Sequence, residues 1–433
     1  MSSDTVPAAP APAPAPAPEE GRIRVPRDLD AITDVGIEDH SGADPRAVER
    51  IWLAARSWYA AGMQPAIQVC VRHRGNVVLN RAIGHARGNG PDLPSNRDEA
   101  TEPVPVTVDT PFCTYSTAKG VAVTVLHRLI ERGDLDIEAR VCDYMPEFTS
   151  DGKDRITVRH VLTHSAGIPI NTGPKPDLRR SEDSAYTRAM LAGIKPVYSP
   201  GRLHFYHALT WGPLVRELVL AATGRTIREI AATEILGPLG FRWTNFGVAP
   251  EDLPAVGLSY ATGRPAPPAI EAAFRKVVGG TMQQIVPMSN SPQFLTGIVP
   301  SSNLVSNAQE LSRFAEILRR GGELDGVRVL RPETLAAATR QARRLRPDFA
   351  TGGAPLRWGT GYMLGSERFG PFGRHAPAAF GHTGLTEIAM WADPQRDLAA
   401  AVVSSGKPGG HPEAKRYPAL LDAIGAAFPR TRG

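Results

Sequence analysis

Three Ser-x-x-Lys sequences stand in this chain: Ser116-Thr-Ala-Lys119, Ser150-Asp-Gly-Lys153 and Ser404-Ser-Gly-Lys407. Among 433 residues there are 21 serines and only seven lysines, so random placement predicts fewer than one such match. The pattern has a definite chemistry. Serine is a weak nucleophile at neutral pH and needs an adjacent base. On a helix, residues i and i+3 share a face, so a lysine three positions on reaches the serine oxygen. Burial lowers the lysine pKa and lets the amine accept the proton. A serine in the first turn also sets its own N–H at the positive end of the helix, where an oxyanion can form.

Context separates the three. Ser150–Lys153 contains Gly152 and sits in a polar turn, and Ser404–Lys407 runs into Pro-Gly-Gly. Both of these lysines are expected to be solvated turn residues. Only Ser116–Lys119 opens a long apolar helix. The HExxH, G-x-S-x-G and Walker A patterns are absent. Thr163-His-Ser-Ala-Gly167 lacks the first glycine of a nucleophile elbow and follows a helix rather than a strand. His204 and His207 have no carboxylate near them in sequence, so no metal is expected there. Cys70, Cys113 and Cys142 form no CxxC pair, which argues against a disulfide framework and a Cys-based zinc site.

Around these residues the chain reads as follows. An amphipathic helix begins on Asp44-Pro45 and runs to residue 61. Residues 66–84 read as two strands joined at Arg74-Gly75-Asn76. Helices are expected over 114–133, 157–169, 210–224, 226–236 and 307–322, the last with Asn307 and Glu310 in a box-like start. Residues 261–303 read as an irregular excursion, in which Met282, Met288, Phe294 and Leu295 are candidates to line an acyl-binding side. Strands fill the last third, and an apolar helix, 417–428, closes the chain. This order implies an α/β (α+β) fold: a sheet built from both ends of the chain, flanked by helices, with an all-helical lobe inserted.

The net charge of +5 is dilute and no run of like charge appears, so nucleic-acid binding is not indicated. No apolar stretch approaches the length of a transmembrane helix. Residues 1–20 are rich in alternating Pro and Ala and read as a disordered tail. With no basic and apolar leader at the N-terminus, the expected location is cytoplasmic.

Further matches in one order give a resemblance. Ile156-Thr-Val-Arg-His-Val-Leu-Thr-His-Ser-Ala-Gly-Ile-Pro169, Pro200-Gly201 leading to Tyr206, Leu304-Val-Ser-Asn-Ala-Gln-Glu-Leu-Ser-Arg-Phe314 and Phe380-Gly-His382-Thr383-Gly384 follow Ser116–Lys119. Together they resemble the serine β-lactamase and penicillin-binding-protein-like family, in its class C and esterase branch. The likeness covers about residues 45–430. It implies a single antiparallel-sheet domain over 40–430, with the helical lobe at about 112–290.

Residue by residue, the resemblance implies that Ser116 is the nucleophile, Lys119 its base, and Tyr206 a general acid/base, deprotonated or strongly hydrogen-bonded. His382 takes the Lys/His place on the strand lining the cleft, with Thr383 beside it. Gly384 lets substrate approach the strand, and the N–H groups of Ser116 and Leu385 form the oxyanion hole. No metal or cofactor is implied.

One departure narrows the activity. Many family members have Asn two residues after the tyrosine, where this chain has Tyr206-His207-Ala208. Alanine cannot orient a β-lactam or peptide amide, and His382 in place of Lys weakens the hold on a substrate carboxylate. The expected activity is hydrolysis of small-molecule carboxylic esters through a Ser116 acyl-enzyme. Hydrolysis of β-lactams or D-amino-acid peptides, acyl transfer, and a catalytically dead scaffold are the alternatives. Oligomeric state is not readable.

Overall fold

The computed structural model describes residues 20–91, 102–173, 177–180, 182–343, 348, 353, 355–409 and 415–431. The Pro/Ala-rich tail expected over 1–20 lies outside them except for its last residue. Helix α1 (Pro45–Tyr59) starts where the Asp44 carboxylate accepts from the Arg46 N–H at 3.0 Å, and Pro45 occupies the first turn. Its apolar stripe, Val48, Ile51, Trp52, Ala55 and Tyr59, is buried.

That stripe covers one face of an antiparallel sheet. In chain order the strands are β1 (Thr33–Val35), β2 (Ala66–His73), β3 (Asn76–Arg87), β4 (Arg357–Trp358), β5 (Met363–Leu364), β6 (Phe380–Thr383), β7 (Ala389–Asp393) and β8 (Leu398–Ser404). Across the sheet they lie in the order β1-β3-β2-β8-β7-β6-β5-β4, with Val104–Pro105 pairing off the path to β3. The two ends of the chain meet where β2 pairs antiparallel with β8, Val71 opposite Ala400. The turn between β2 and β3 is the expected one: Arg74 and Gly75 both take positive φ, 53° and 92°, which suits a two-residue hairpin. The outer strand β1 lies before residue 40, where the folded domain was expected to begin.

Four further helices matter to the site: α2 (Thr117–Arg132), α3 (Trp211–Thr223), α4 (Ala308–Arg319) and α5 (Arg416–Ala427). The period-two alternation of β8 divides the core. Leu398, Ala400 and Val402 pack with α1 and α5, while Ala399, Ala401 and Val403 pack with α4 and α2. On the α2 side, α3 and the short helices Val158–Leu162, Ser184–Gly193 and Ile227–Ala231 close over Phe148, Trp211, Leu218 and Ile230. Each large apolar side chain so buried contributes about 1.5–3 kcal/mol. The architecture is a mixed α/β fold, with helices inserted between the two halves of an antiparallel sheet.

Several elements differ from the sequence reading. The helix expected over 157–169 stops at Leu162, because His164 and Gly167 turn the chain with φ of 50° and 87°. The helix expected over 226–236 is α-helical to Ala231 and then π-helical over Ala232–Leu236. Residues 261–303 contain three helices, Pro268–Val278, Met282–Ser289 and Pro292–Thr296. Asn307 caps α4 by accepting from the Glu310 N–H at 2.8 Å, but the Glu310 carboxylate turns away to the N–H groups of Arg242, Trp243 and Thr244, so no box closes.

Candidate active site

Ser116 is the residue immediately before α2, and its hydroxyl makes no capping hydrogen bond. The side chain is therefore not spent on the helix end, as a serine there usually is. The turn that presents it is anchored on both sides. Thr114 donates its N–H to the Leu304 carbonyl at 2.8 Å, and Thr117 Oγ1 reaches Thr114 Oγ1 at 2.6 Å. Tyr115 takes φ 50°, a costly conformation for a residue with a side chain, and its buried phenol is held by Ser289 Oγ at 2.7 Å.

One turn on, Lys119 is fully buried. Its Nζ lies 3.4 Å from Ser116 Oγ, 3.4 Å from the Ala208 carbonyl oxygen and 3.1 Å from that of Ser301. Burial holds the amine well below the ordinary lysine value, and no carboxylate acts against it. Tyr206 lies across from the pair, with Lys119 Nζ 4.7 Å from its ring centroid. Burial pushes the phenol above its ordinary value, while the facing Ser116 hydroxyl pulls weakly the other way. Burial thus favours the neutral phenol, with the Ser116 hydroxyl as its hydrogen-bond partner.

His382, on β6, is buried against the same group, its ring centroid 6.1 Å from that of Tyr206. Burial and the nearby Lys119 bring the imidazole down to about 3, so it is neutral. His382 Nδ1 lies 2.8 Å from the Thr383 carbonyl oxygen, and Nε2 has no protein partner. Gly120 lets α2 lie this close to the sheet, since a Cβ there would sit 3.3 Å from His382 Cβ and 2.9 Å from Met390 Cε. At Gly384 a Cβ would lie 2.5 Å from the Thr114 carbonyl oxygen, so the end of β6 abuts the nucleophile turn. This contact sets Gly384 against Thr114, two residues before Ser116, and Leu385 packs on the cluster that holds Cys113 and Tyr115. Among the described residues neither the Ser116 nor the Leu385 N–H donates to the protein backbone.

The other two Ser-x-x-Lys sequences are not solvated turns, contrary to the sequence reading. Lys153 and Lys407 are both fully buried. Lys153 Nζ is nearer its serine than Lys119 is, 2.9 Å from Ser150 Oγ, but Asp151 lies 3.8 Å away and favours its charged form. An uncompensated amine, rather than the Ser–Lys distance, distinguishes Lys119.

Sequence reasoning missed the shell behind Tyr206. His164, Trp358 and Asp348 arrive from three separate segments. The His164 and Trp358 rings stand 4.8 and 5.7 Å from the Tyr206 ring, and Asp348 Oδ2 accepts the Tyr206 N–H at 3.0 Å. Asp348 also lies 3.6 Å from His204 Nε2, supplying the carboxylate that the local sequence lacked. Among the described residues no group of His, Cys, Asp and Glu has the arrangement to hold a metal ion. Of the four acyl-side candidates, Met288 lines an open cleft of about 630 Å³ with Ile170, Leu209 and Ile285. Phe294 and Leu295 are core, and Met282 lies in a separate small pocket. A second cleft, about 960 Å³, passes the end of β6 along Thr383, Gly384, Thr386 and Ile388.

The family model described as Beta-lactamase matches residues 55–424. The chain belongs to the beta-lactamase family. Among its relatives, the Esterase/beta-lactamase LipL of Mycobacterium tuberculosis is 32% identical over 312 residues, 69% of this chain and 70% of that one. Among solved structures, a penicillin-binding protein homolog from Caulobacter crescentus superposes with TM-score 0.73 at 27% identity, covering 89% of this chain and 99% of the other. A family VIII carboxylesterase does so with TM-score 0.71 at 26% identity, covering 88% and 97%. In this beta-lactamase-family chain no helix among the described residues is long and apolar enough to cross a membrane.

Proposed function

We propose that this chain is a serine hydrolase of carboxylic esters that works through a Ser116 acyl-enzyme. The observation that carries this reading is the buried Lys119 amine, with no carboxylate compensating it, 3.4 Å from an uncapped serine hydroxyl. A neutral amine in that position is a base. It takes the Ser116 proton as Oγ bonds to the ester carbonyl carbon. The resulting oxyanion is received by the N–H groups of Ser116 and Leu385. As the carbon–oxygen bond to the alcohol breaks, Tyr206 gives its proton to the leaving oxygen and regains one from Lys119. A water then repeats the sequence in reverse and frees the acid.

Esters are favoured over β-lactams and peptides by two features. Ala208 offers no side-chain amide, and a His382 brought down to about 3 offers no positive charge for a substrate carboxylate. The names of the relatives, an esterase/beta-lactamase and a carboxylesterase, support the same class. The cleft at Met288 begins one residue from the Lys119 and Tyr115 partners Ala208 and Ser289, which suits it to the acyl group. As to extent, we take one hydrolase domain to run over about 40–430 with the edge strand β1 added before it, and the protein to act in the cytoplasm.

A panel of p-nitrophenyl esters of rising chain length beside nitrocefin tests the reading. Ester turnover lost in Ser116→Ala, with slow or no nitrocefin turnover, is the expected result. Fast nitrocefin turnover that depends on Ser116 would overturn the ester preference. A folded protein inactive on every substrate would favour the dead scaffold.

A further inference from the structure

The third Ser-x-x-Lys sequence is not a second reactive pair. Lys407 Nζ donates to the Ser404 main-chain carbonyl at 2.6 Å, and the Ser404 hydroxyl donates to the Glu387 carbonyl at 2.9 Å. Lys407 is fully buried, where an apolar side chain of the same length would avoid the desolvation of an amine. What it touches gives it a use. Its Nζ stands 5.2 Å from the centroid of the Tyr115 ring; burial brings the amine down to about 7, and the Glu387 charge opposes that shift. Cys113, which also faces it, is pushed up to about 12 by burial and stays a neutral thiol.

Those contacts join two strained backbone segments. Tyr115, with φ 50°, immediately precedes Ser116. Thr386 and Glu387, with φ 41° and 44°, immediately follow Leu385. Non-glycine residues hold such angles only where their surroundings over-determine them. Gln64 ties the second segment to Gly406, the lysine's neighbour: its Nε2 donates to the Glu387 carboxylate at 2.6 Å, and its Oε1 accepts from the Gly406 N–H at 2.9 Å.

We propose that Lys407 is a positioning residue of the hydrolytic site. Set against the Tyr115 ring and bonded to the Ser404 carbonyl, with the Ser404 hydroxyl holding the Glu387 main chain, it fixes the two turns that aim the Ser116 and Leu385 N–H groups at one point. The inference rests on the ester-hydrolase reading, in which that point is the developing oxyanion. Lys407 touches no substrate and exchanges no proton in the reaction.

The test compares full-length wild type, Lys407→Met, Lys407→Arg and Glu387→Gln. Folding is followed by circular dichroism and thermal melting. Activity is read as kcat and KM on p-nitrophenyl butyrate, and oxyanion recognition as the inhibition constant of an aryl trifluoromethyl ketone. Lys407→Met is expected to lose at least about tenfold in kcat with KM little changed, and to bind the ketone more weakly by a similar factor. Lys407→Arg is expected to recover part of both. A folded Lys407→Met with wild-type kcat and ketone binding overturns the proposal. Should Lys407→Met not fold, Glu387→Gln carries the test: a kcat-selective loss supports the coupling, and wild-type kcat overturns it. Fluorophosphonate labelling of Ser116 in the wild type keeps the two readings apart. Absence of labelling sinks the hydrolase reading itself, whereas normal labelling with unaffected variants sinks only the role of Lys407.

Discussion

Replacing Lys119 by Met tests, through pH, whether that buried amine is a base. Lys119 hydrogen-bonds to Ser116 Oγ and to two carbonyl oxygens, and burial alone sets its shift, downward. In the unfolded chain a lysine titrates near 10.4. A folded pKa below that value means the unfolded state binds a proton the folded state has released. The penalty is fully present below the folded pKa, shrinks as pH rises, and is gone above the unfolded value. Between the two, wild-type stability climbs by about 1.4 kcal/mol per pH unit from this one group. Met keeps the length and apolar stem but does not titrate, so the stability gap between Lys119→Met and wild type should shift in favour of wild type as pH rises toward the unfolded lysine value. Lys407 is common to both proteins, and His204, His207 and His382, brought down to about 4, 3 and 3, titrate well below the range compared. Urea unfolding followed by tryptophan fluorescence at four pH values measures the gap. A gap independent of pH would mean that Lys119 carries the same charge folded and unfolded, and an ammonium cannot take the serine proton.

Other substitutions separate the roles. Tyr206→Phe should fold and bind ester with similar KM while kcat drops by roughly a hundredfold or more, as for loss of a positioned acid; steady-state kinetics with wild-type kcat would remove Tyr206 from the relay. His382→Asn should leave the acid limb of the kcat/KM profile where it is, because an imidazole at about 3 is neutral throughout the working range. Disappearance of that limb would make His382 the base. Gly384→Ala forces a methyl to 2.5 Å from the Thr114 carbonyl oxygen and 2.9 Å from Ile388 Cβ. It should cost about 1–3 kcal/mol in urea melts and most of the activity, and an unaffected variant would show that the end of β6 is not fixed against the nucleophile turn.

The parts of the site that were legible in sequence are those set by local spacing. Ser116 and Lys119 meet because i and i+3 share a helix face, and α2 ends as expected on Gly133, with φ 80°. Tyr206 and His382 came from ordered motifs of a resemblance, and the structure brings their rings to 6.1 Å. What stayed hidden depends on where distant segments arrive. Ser150–Lys153 and Ser404–Lys407 look polar in their own neighbourhoods. Their lysines are buried by Phe148 and Ile194 in one case, and by Tyr115 in the other. Asp348 pairs with His204 across a long stretch of chain, so no window of sequence shows it. β1 has three residues and no alternation to read. The helices within 261–303 are short and separated by Gly279-Gly280 and by Asn290-Ser291, with Pro287 inside the second, which erases a helical period.

The central claim is a covalent bond between substrate and Ser116. Intact-protein mass spectrometry of the enzyme quenched in acid during turnover of a p-nitrophenyl ester measures it directly. The account predicts a fraction heavier by one acyl group, a modified peptide that contains Ser116, and no adduct in Ser116→Ala. Turnover with no adduct, or an adduct mapped to another residue such as Ser150 or Ser404, would contradict it.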